Sequence, residues 1–161
     1  MTVRVPVYDT GMLIALADRK AKAVRLHAGL REAPHRALVL GPVLAQVWRP
    51  SPATVHALAG VMKDCTVPQA RSSVPAMRPT SVGQTACIMC ATGPDITEWH
   101  RIGSALGSAE LPPKKRPDAV DALVALTAAR HGSAVVFTRE PADLDAYLKA
   151  LDAQDVHVVQ I

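Results

Sequence analysis

Short apolar runs alternate with helix-patterned runs along most of this chain, and that alternation limits the fold more than any other feature. Val3–Tyr8, Ala37–Leu40, Cys65–Val67, Ala134–Thr138 and Val156–Ile161 are short, apolar and flanked by turn or cap residues, which predicts strands. Between them, Thr10–Ala17, Lys20–Glu32, Thr54–Met62, Trp99–Leu106 and Pro141–Leu151 predict helices. Pro42 takes the favoured first position of a further helix carrying Val43–Trp48. Asp95-Ile-Thr-Glu98 has the form of a capping box for the Trp99 helix. A last helix runs from Asp118 to His131, where Gly132 stops it. Strands and helices in this order imply an α/β sandwich: a mainly parallel sheet flanked by helices.

A length of 161 residues fits one domain, 1–161, with a real core. Aromatic residues make up only 3% of the chain, so the core must be Ala, Val and Leu packing. The same scarcity leaves no aromatic platform for stacked bases, which argues against OB-fold or RRM-like binders. The segment 68–94 interrupts the pattern with four prolines, several Ser and Thr residues and little periodicity, and reads as an irregular insert. Three cysteines are too few for a disulfide framework. No signal peptide is visible, and no apolar run approaches the length of a membrane span. The expectation is a cytoplasmic protein with no membrane partner.

Acidic residues next to apolar segments carry the chemistry. Asp9 closes the first strand and precedes an apolar helix; Asp118 and Asp121 open the apolar helix Asp118-Ala-Val-Asp-Ala-Leu-Val-Ala. Residues three apart share a helix face, so Asp118 and Asp121 offer their oxygens in one direction. Ligands of parallel sheets gather outside the carboxyl ends of the strands. Asp9 after the first strand and Glu140 after the Phe137 strand therefore share an edge with the start of the Asp118 helix. Carboxylates without His or Cys suit Mg²⁺ or Mn²⁺ rather than zinc. Such an ion polarises a phosphoryl oxygen and activates water for in-line hydrolysis. Asp118 has a competing role as a helix cap, and Asp143 has the same role for the helix after Pro141. Asp121, one turn into an apolar helix, has no such explanation.

Other motifs point elsewhere. Asp9-Thr10-Gly11 matches the aspartic-protease triplet but runs straight into a helix, whereas that fold is all-β. Cys87-Ile-Met-Cys90 with Cys65 and His100 has the composition of a zinc set, but there is no second CxxC. Gly103-Ser-Ala-Leu-Gly107 lies in a helical pattern and reads as a close-packing face rather than a phosphate loop. Trp48 and Trp99 read as core or interface residues. The net charge of +4 suits a polyanionic partner or an ordinary solvated surface, and Lys114-Lys115-Arg116 is its one basic cluster.

The acids, their order and their neighbours resemble the PIN-domain family, the fold of VapC-type toxin ribonucleases. The resemblance rests on Val7-Tyr-Asp-Thr-Gly-Met-Leu-Ile-Ala-Leu16 and Gly41-Pro-Val-Leu-Ala-Gln-Val-Trp-Arg49. It continues in Asp118-Ala-Val-Asp-Ala-Leu-Val-Ala125 and Val135-Val-Phe-Thr-Arg-Glu-Pro-Ala-Asp-Leu144. Each piece is degenerate alone, and the ordered set covers most of the chain outside about 68–94. It implies a three-layer α/β sandwich that binds Mg²⁺ or Mn²⁺ and cuts RNA. By position, Asp9 looks like the first acid and Asp121 like the principal late acid, with Asp118 beside it. Glu140 takes a place that usually holds Asp or Asn. Thr10 and Thr138 look like polar helpers, and Lys114, Lys115, Arg116 and Arg139 like phosphate contacts. The family pattern also suggests a homodimer and a small antitoxin protein.

Gln46 departs from this pattern, standing where most of the family has Glu. An amide oxygen accepts a hydrogen bond but supplies no charge and no base. Three functions are therefore in play. The first is a metal-dependent endoribonuclease, the toxin of a toxin–antitoxin pair. The second is a catalytically weak or inactive PIN-like module that binds RNA or protein. The third is a small-molecule phosphatase or nucleotide-binding α/β protein, which lacks a phosphate loop or a strand-end Asp-x-Asp nucleophile here.

Overall fold

A computed structural model describes residues 3–49, 51–68 and 92–161. In chain order its elements are β1 (Val5–Tyr8), α1 (Thr10–Ala17), α2 (Ala21–Leu30), β2 (Ala37–Val39), α3 (Gly41–Val47) and α4 (Pro52–Met62). These are followed by β3 (Cys65–Thr66), α5 (Ile96–Ser108), α6 (Ala119–Arg130), β4 (Ala134–Thr138), α7 (Pro141–Ala150) and β5 (Val156–Gln160). The five strands form one sheet in the order β3-β2-β1-β4-β5. Every pairing is parallel. The α/β sandwich expected from the sequence is thus the fold. Of the 68–94 insert only Pro68 and Thr92–Pro94 are among the described residues.

The strand order determines which layer each helix joins. From β1 the chain steps to β2 and then β3 in one direction; β4 and β5 lie on the other side of β1. Parallel crossovers are almost always right-handed, so reversing direction puts the connecting helices on the opposite face. α1 packs with α2, α3 and α4, whereas α6 packs with α5 and α7, and both α1 and α6 touch β1 and β4. A crevice opens between the carboxyl ends of β1 and β4, where the two directions part.

Local chemistry starts these helices where the sequence marks them. Pro42, Pro52 and Pro141 occupy first-turn positions. The Ser51 hydroxyl accepts from the Thr54 amide at 3.2 Å. Both bonds of the Asp95–Glu98 capping box form at 2.9 Å, so α5 begins at Ile96 rather than at Trp99. α6 is buried on every side from Ala122 to Ala128, and its Thr127 hydroxyl donates to the Leu123 carbonyl at 2.8 Å. A helix apolar all round is what a position between the sheet and two other helices requires.

Two expectations about packing change. Gly103 and Gly107 face solvent, and a Cβ at either would meet nothing within 4 Å, so this is not a close-packing face. Trp48 and Trp99 are 40% and 45% exposed, so of the core-or-interface expectation the core alternative fails. The buried aromatics are Tyr8, Tyr147 and Phe137. The Tyr8 hydroxyl is satisfied by His27 Nδ1 at 2.9 Å. Among the described residues, no helix is long and apolar enough to cross a membrane.

Gly11 is the glycine that the fold needs. A Cβ there would lie 2.8 Å from the Arg139 backbone nitrogen, which follows β4 directly. Gly11→Ala must push α1 away from the β4–α7 turn, and it should destabilise the chain by about 1–3 kcal/mol. Gly103→Ala, in open space on a helix, should instead stabilise it by up to about 1 kcal/mol. Denaturant unfolding of the two variants beside the parent chain measures both.

Candidate functional site

Asp9 sits at the crevice because β1 delivers it there. Its amide donates to the Phe137 carbonyl at 3.1 Å, continuing the β1–β4 ladder by one residue. Its carboxylate is not used as a cap for α1. The Thr138 hydroxyl donates to Asp9 Oδ2 at 2.7 Å and accepts from the Glu140 amide at 3.0 Å. The other oxygen, Oδ1, is buried and has no hydrogen-bond partner. The residue is only 6% exposed. Burial pushes the carboxyl's pKa up; Thr138 and the Thr10 and Gly11 backbone at the start of α1 pull it back, and the nearby Glu140 charge adds to the rise. An unsatisfied buried acceptor is unfavourable by about 1–3 kcal/mol, and more when charged. That penalty disappears when a cation or a donor meets the oxygen.

α6 brings the second group. Asp118 caps it, Oδ1 accepting from the Val120 amide at 2.7 Å. The expected cap role is therefore real, and Asp118 still lines the cleft. The Asp118 amide donates to the Tyr147 hydroxyl at 2.9 Å, which fixes the start of α6 against α7. The Asp121 side chain, one turn later, makes no hydrogen bond or ion pair among the described residues. Its pKa is pushed up to about 7, first by burial and then by the charges of Asp9, Asp118, Asp143 and Glu140. Asp9 from the α1 side and Asp121 from the α6 side thus feel each other across the crevice.

The resulting cleft holds about 550 Å³, and Asp9, Gln46, Asp118, Asp121, Arg139 and Glu140 line it along with the first turn of α1. The Thr10 hydroxyl donates to Gln46 Oε1, so the Gln46 amide oxygen at the cleft already has a partner. Lys115 reaches in from the loop before α6. Its ammonium contacts Glu140 Oε1 at 2.6 Å and Asp143 Oδ2 at 3.0 Å. It holds the Glu140 carboxyl below its ordinary range. Asp143 is buried in the first turn of α7 and is not its N-cap; that place belongs to Glu140. Lys114 and Arg116 stand exposed in the same loop, outside the cleft lining.

The structure therefore brings Asp9, Thr10, Gln46, Asp118, Asp121, Thr138, Arg139 and Glu140 to one place. Tyr147 is the residue that the sequence reading missed. Its spacing from Leu144 and Leu148 puts it on the buried face of α7, where a hydroxyl needs a partner. Cys65 is buried in β3, which pushes its thiol up to about 12, and Cys87 and Cys90 lie outside the described residues. Among the described residues, no three His, Cys, Asp or Glu side chains form a ready-made ligand cage. Mg²⁺ does not require one: it keeps several waters and is commonly held by one or two carboxylates plus substrate phosphate. Asp9 Oδ1 and Asp121 fit that demand. Comparison of the chain with family models, with curated proteins and with solved structures returns no match.

The raised carboxyl at Asp121 has a thermodynamic signature. An acid that keeps its proton to higher pH in the folded chain than in the unfolded one stabilises the fold at low pH. That contribution is lost as pH climbs from about 4 towards the folded value of about 7. Without divalent metal, the parent chain should lose stability over this window relative to Asp121→Asn. Added Mg²⁺ or Mn²⁺ should offset the loss in the parent only. Thermal melts at several pH values, with and without metal, measure both effects.

Proposed function

We propose that this chain is a metal-dependent endoribonuclease of the PIN type. The reading rests on one observation: a buried carboxylate with a free oxygen, Asp9, faces a second unpaired carboxylate, Asp121, across a cleft at the point where the sheet reverses. Two separately supported helix layers hold these acids together despite their mutual repulsion, and a divalent cation relieves it. The ordered sequence resemblance supplies the substrate class. Asp9 and Asp121 would hold Mg²⁺ or Mn²⁺, with the remaining oxygen of Asp118 beside them. Bound there, the ion supplies polarisation of a phosphodiester oxygen and an activated water.

The chain's own residues do the rest. Thr138 anchors Asp9 by donating to Oδ2, which leaves Oδ1 buried and unpartnered on a residue that lines the cleft. Tyr147 and the Asp118 cap fix the first turn of α6, and with it Asp121. Arg139 lines the cleft and can meet a phosphate, while Lys114 and Arg116 are free to meet the flanking backbone. Lys115, paired with two acids, is not in that set. By the same resemblance, we place the chain as a toxin-like module, a homodimer whose groove takes a small antitoxin protein.

RNA cleavage in Mg²⁺ or Mn²⁺ should stop in EDTA. Asp9→Asn and Asp121→Asn should each lower the rate on the order of a hundred-fold or more. Cleavage of a labelled RNA pool by the parent and both variants decides this, and activity surviving both substitutions overturns the reading.

A second reading is a PIN-like RNA- or protein-binding module that does not cut. The bond from Thr10 to Gln46 favours it, because the position that would carry a further negative charge is neutral and already paired. On the nuclease reading, Gln46→Glu should tighten Mn²⁺ binding roughly ten-fold and speed cleavage. On the second reading it tightens nothing, and no divalent ion elicits cleavage. Calorimetric Mn²⁺ titration beside the cleavage assay separates the two.

A further inference from the structure

Four carboxylates in and beside the cleft divide into two groups by what already touches them; Asp143 lies just behind the lining, next to Glu140 on Lys115. Asp9 Oδ1 has no partner, and the Asp121 side chain meets burial and the charges of the neighbouring acids. Glu140 and Asp143 are both engaged by one ammonium, at 2.6 and 3.0 Å. They differ in what they need. The Glu140 side chain is 59% exposed and would be hydrated without a partner, whereas the Asp143 side chain is only 7% exposed. A buried carboxylate stripped of its counter-charge is strongly unfavourable. The Asp143 side demands a cation, and Lys115 delivers one from the loop between α5 and α6.

The two halves are joined through one hydroxyl. Thr138 donates to Asp9 and accepts from the Glu140 amide, and Glu140 in turn meets Lys115. The site is thus a row: an open acid pair at Asp9 and Asp121, Thr138 in the middle, and a neutralised pair at Glu140 and Asp143. A hard divalent ion needs carboxylate oxygens of the kind both ends offer. One end already has a positive charge that cannot diffuse away.

We propose that Lys115 is the resident cation of this site: it fills the Glu140–Asp143 half and thereby confines the centre to one divalent ion at Asp9 and Asp121. The proposal rests on the metal-site reading above. It makes Lys115 a residue that sets how many ions the cleft takes, and it removes Glu140 from the ligand set. Loss of the ammonium leaves Glu140 and Asp143 as two uncompensated carboxylates, and a second ion joins them.

Mn²⁺ titration of the full chain, followed by electron paramagnetic resonance and calorimetry, tests this with the ion alone. Lys115→Met keeps the aliphatic stem and removes the charge. The parent should bind one Mn²⁺ per chain and Lys115→Met two. The double variant Lys115→Met/Asp143→Asn should return to one. Glu140→Gln, which leaves the ammonium on Asp143, should keep the parent's single ion. A folded Lys115→Met that still binds one ion overturns the proposal. So does a Glu140→Gln chain that binds no Mn²⁺ or binds two, and this arm decides alone if Lys115→Met does not fold. A parent chain that binds no Mn²⁺, or an Asp9→Asn chain that binds it as tightly as the parent, overturns the metal reading itself. One ion in both the parent and Lys115→Met overturns only the role of Lys115.

Discussion

The hydrogen bond from the Thr138 hydroxyl to Asp9 fastens two central strands whose residues are 129 positions apart in the chain. Much of the site's geometry follows from it. β1 and β4 run side by side with Tyr8 opposite Phe137, so Asp9, just past β1, comes beside Thr138, the last residue of β4. From there the chain departs to opposite faces, α1 on one and α7 on the other. The crevice is the gap left by that parting, and Gly11 lets α1 approach it without striking the Arg139 backbone. The register of the ladder thereby becomes the position of a carboxylate.

The elements were legible because punctuation and pattern agreed along the chain. Pro42, Ser51-Pro52, the Asp95–Glu98 box and Pro141 each mark a helix start by a local mechanism that tertiary packing left intact. Asp9, Asp118, Asp121 and Glu140 were legible as a group because strand ends and helix starts share one edge in a parallel sheet. The strand order was not written locally. It depends on which face each crossover takes, and the sequence carries no direct mark of that.

The less legible parts depend on which way a single side chain turns. Lys114, Lys115 and Arg116 form one basic run by composition, yet only Lys115 folds inward. The cause lies elsewhere in the chain: packing of α7 buries Asp143, and the nearest flexible cation answers it. Thr10 and Gln46 belong to different helices, α1 and α3, so their bond appears only once both layers are assembled. Gly103 and Gly107 sit at helix spacing, and spacing alone does not say which face of a helix is covered.

The placement of the few aromatic rings has an optical consequence. Both tryptophans lie half-exposed, Trp48 just past α3 on one layer and Trp99 in α5 on the other, while both tyrosines lie inside, Tyr8 under α2 and Tyr147 against α6. Indole emission from this molecule reports on its surfaces, where a docked partner would be felt. The ordered environment of the phenol rings reports on the interior, and Tyr147 in particular reports on the helix start that carries Asp118 and Asp121. Occupancy of the cleft and contact with another macromolecule therefore fall on different chromophores of the same chain.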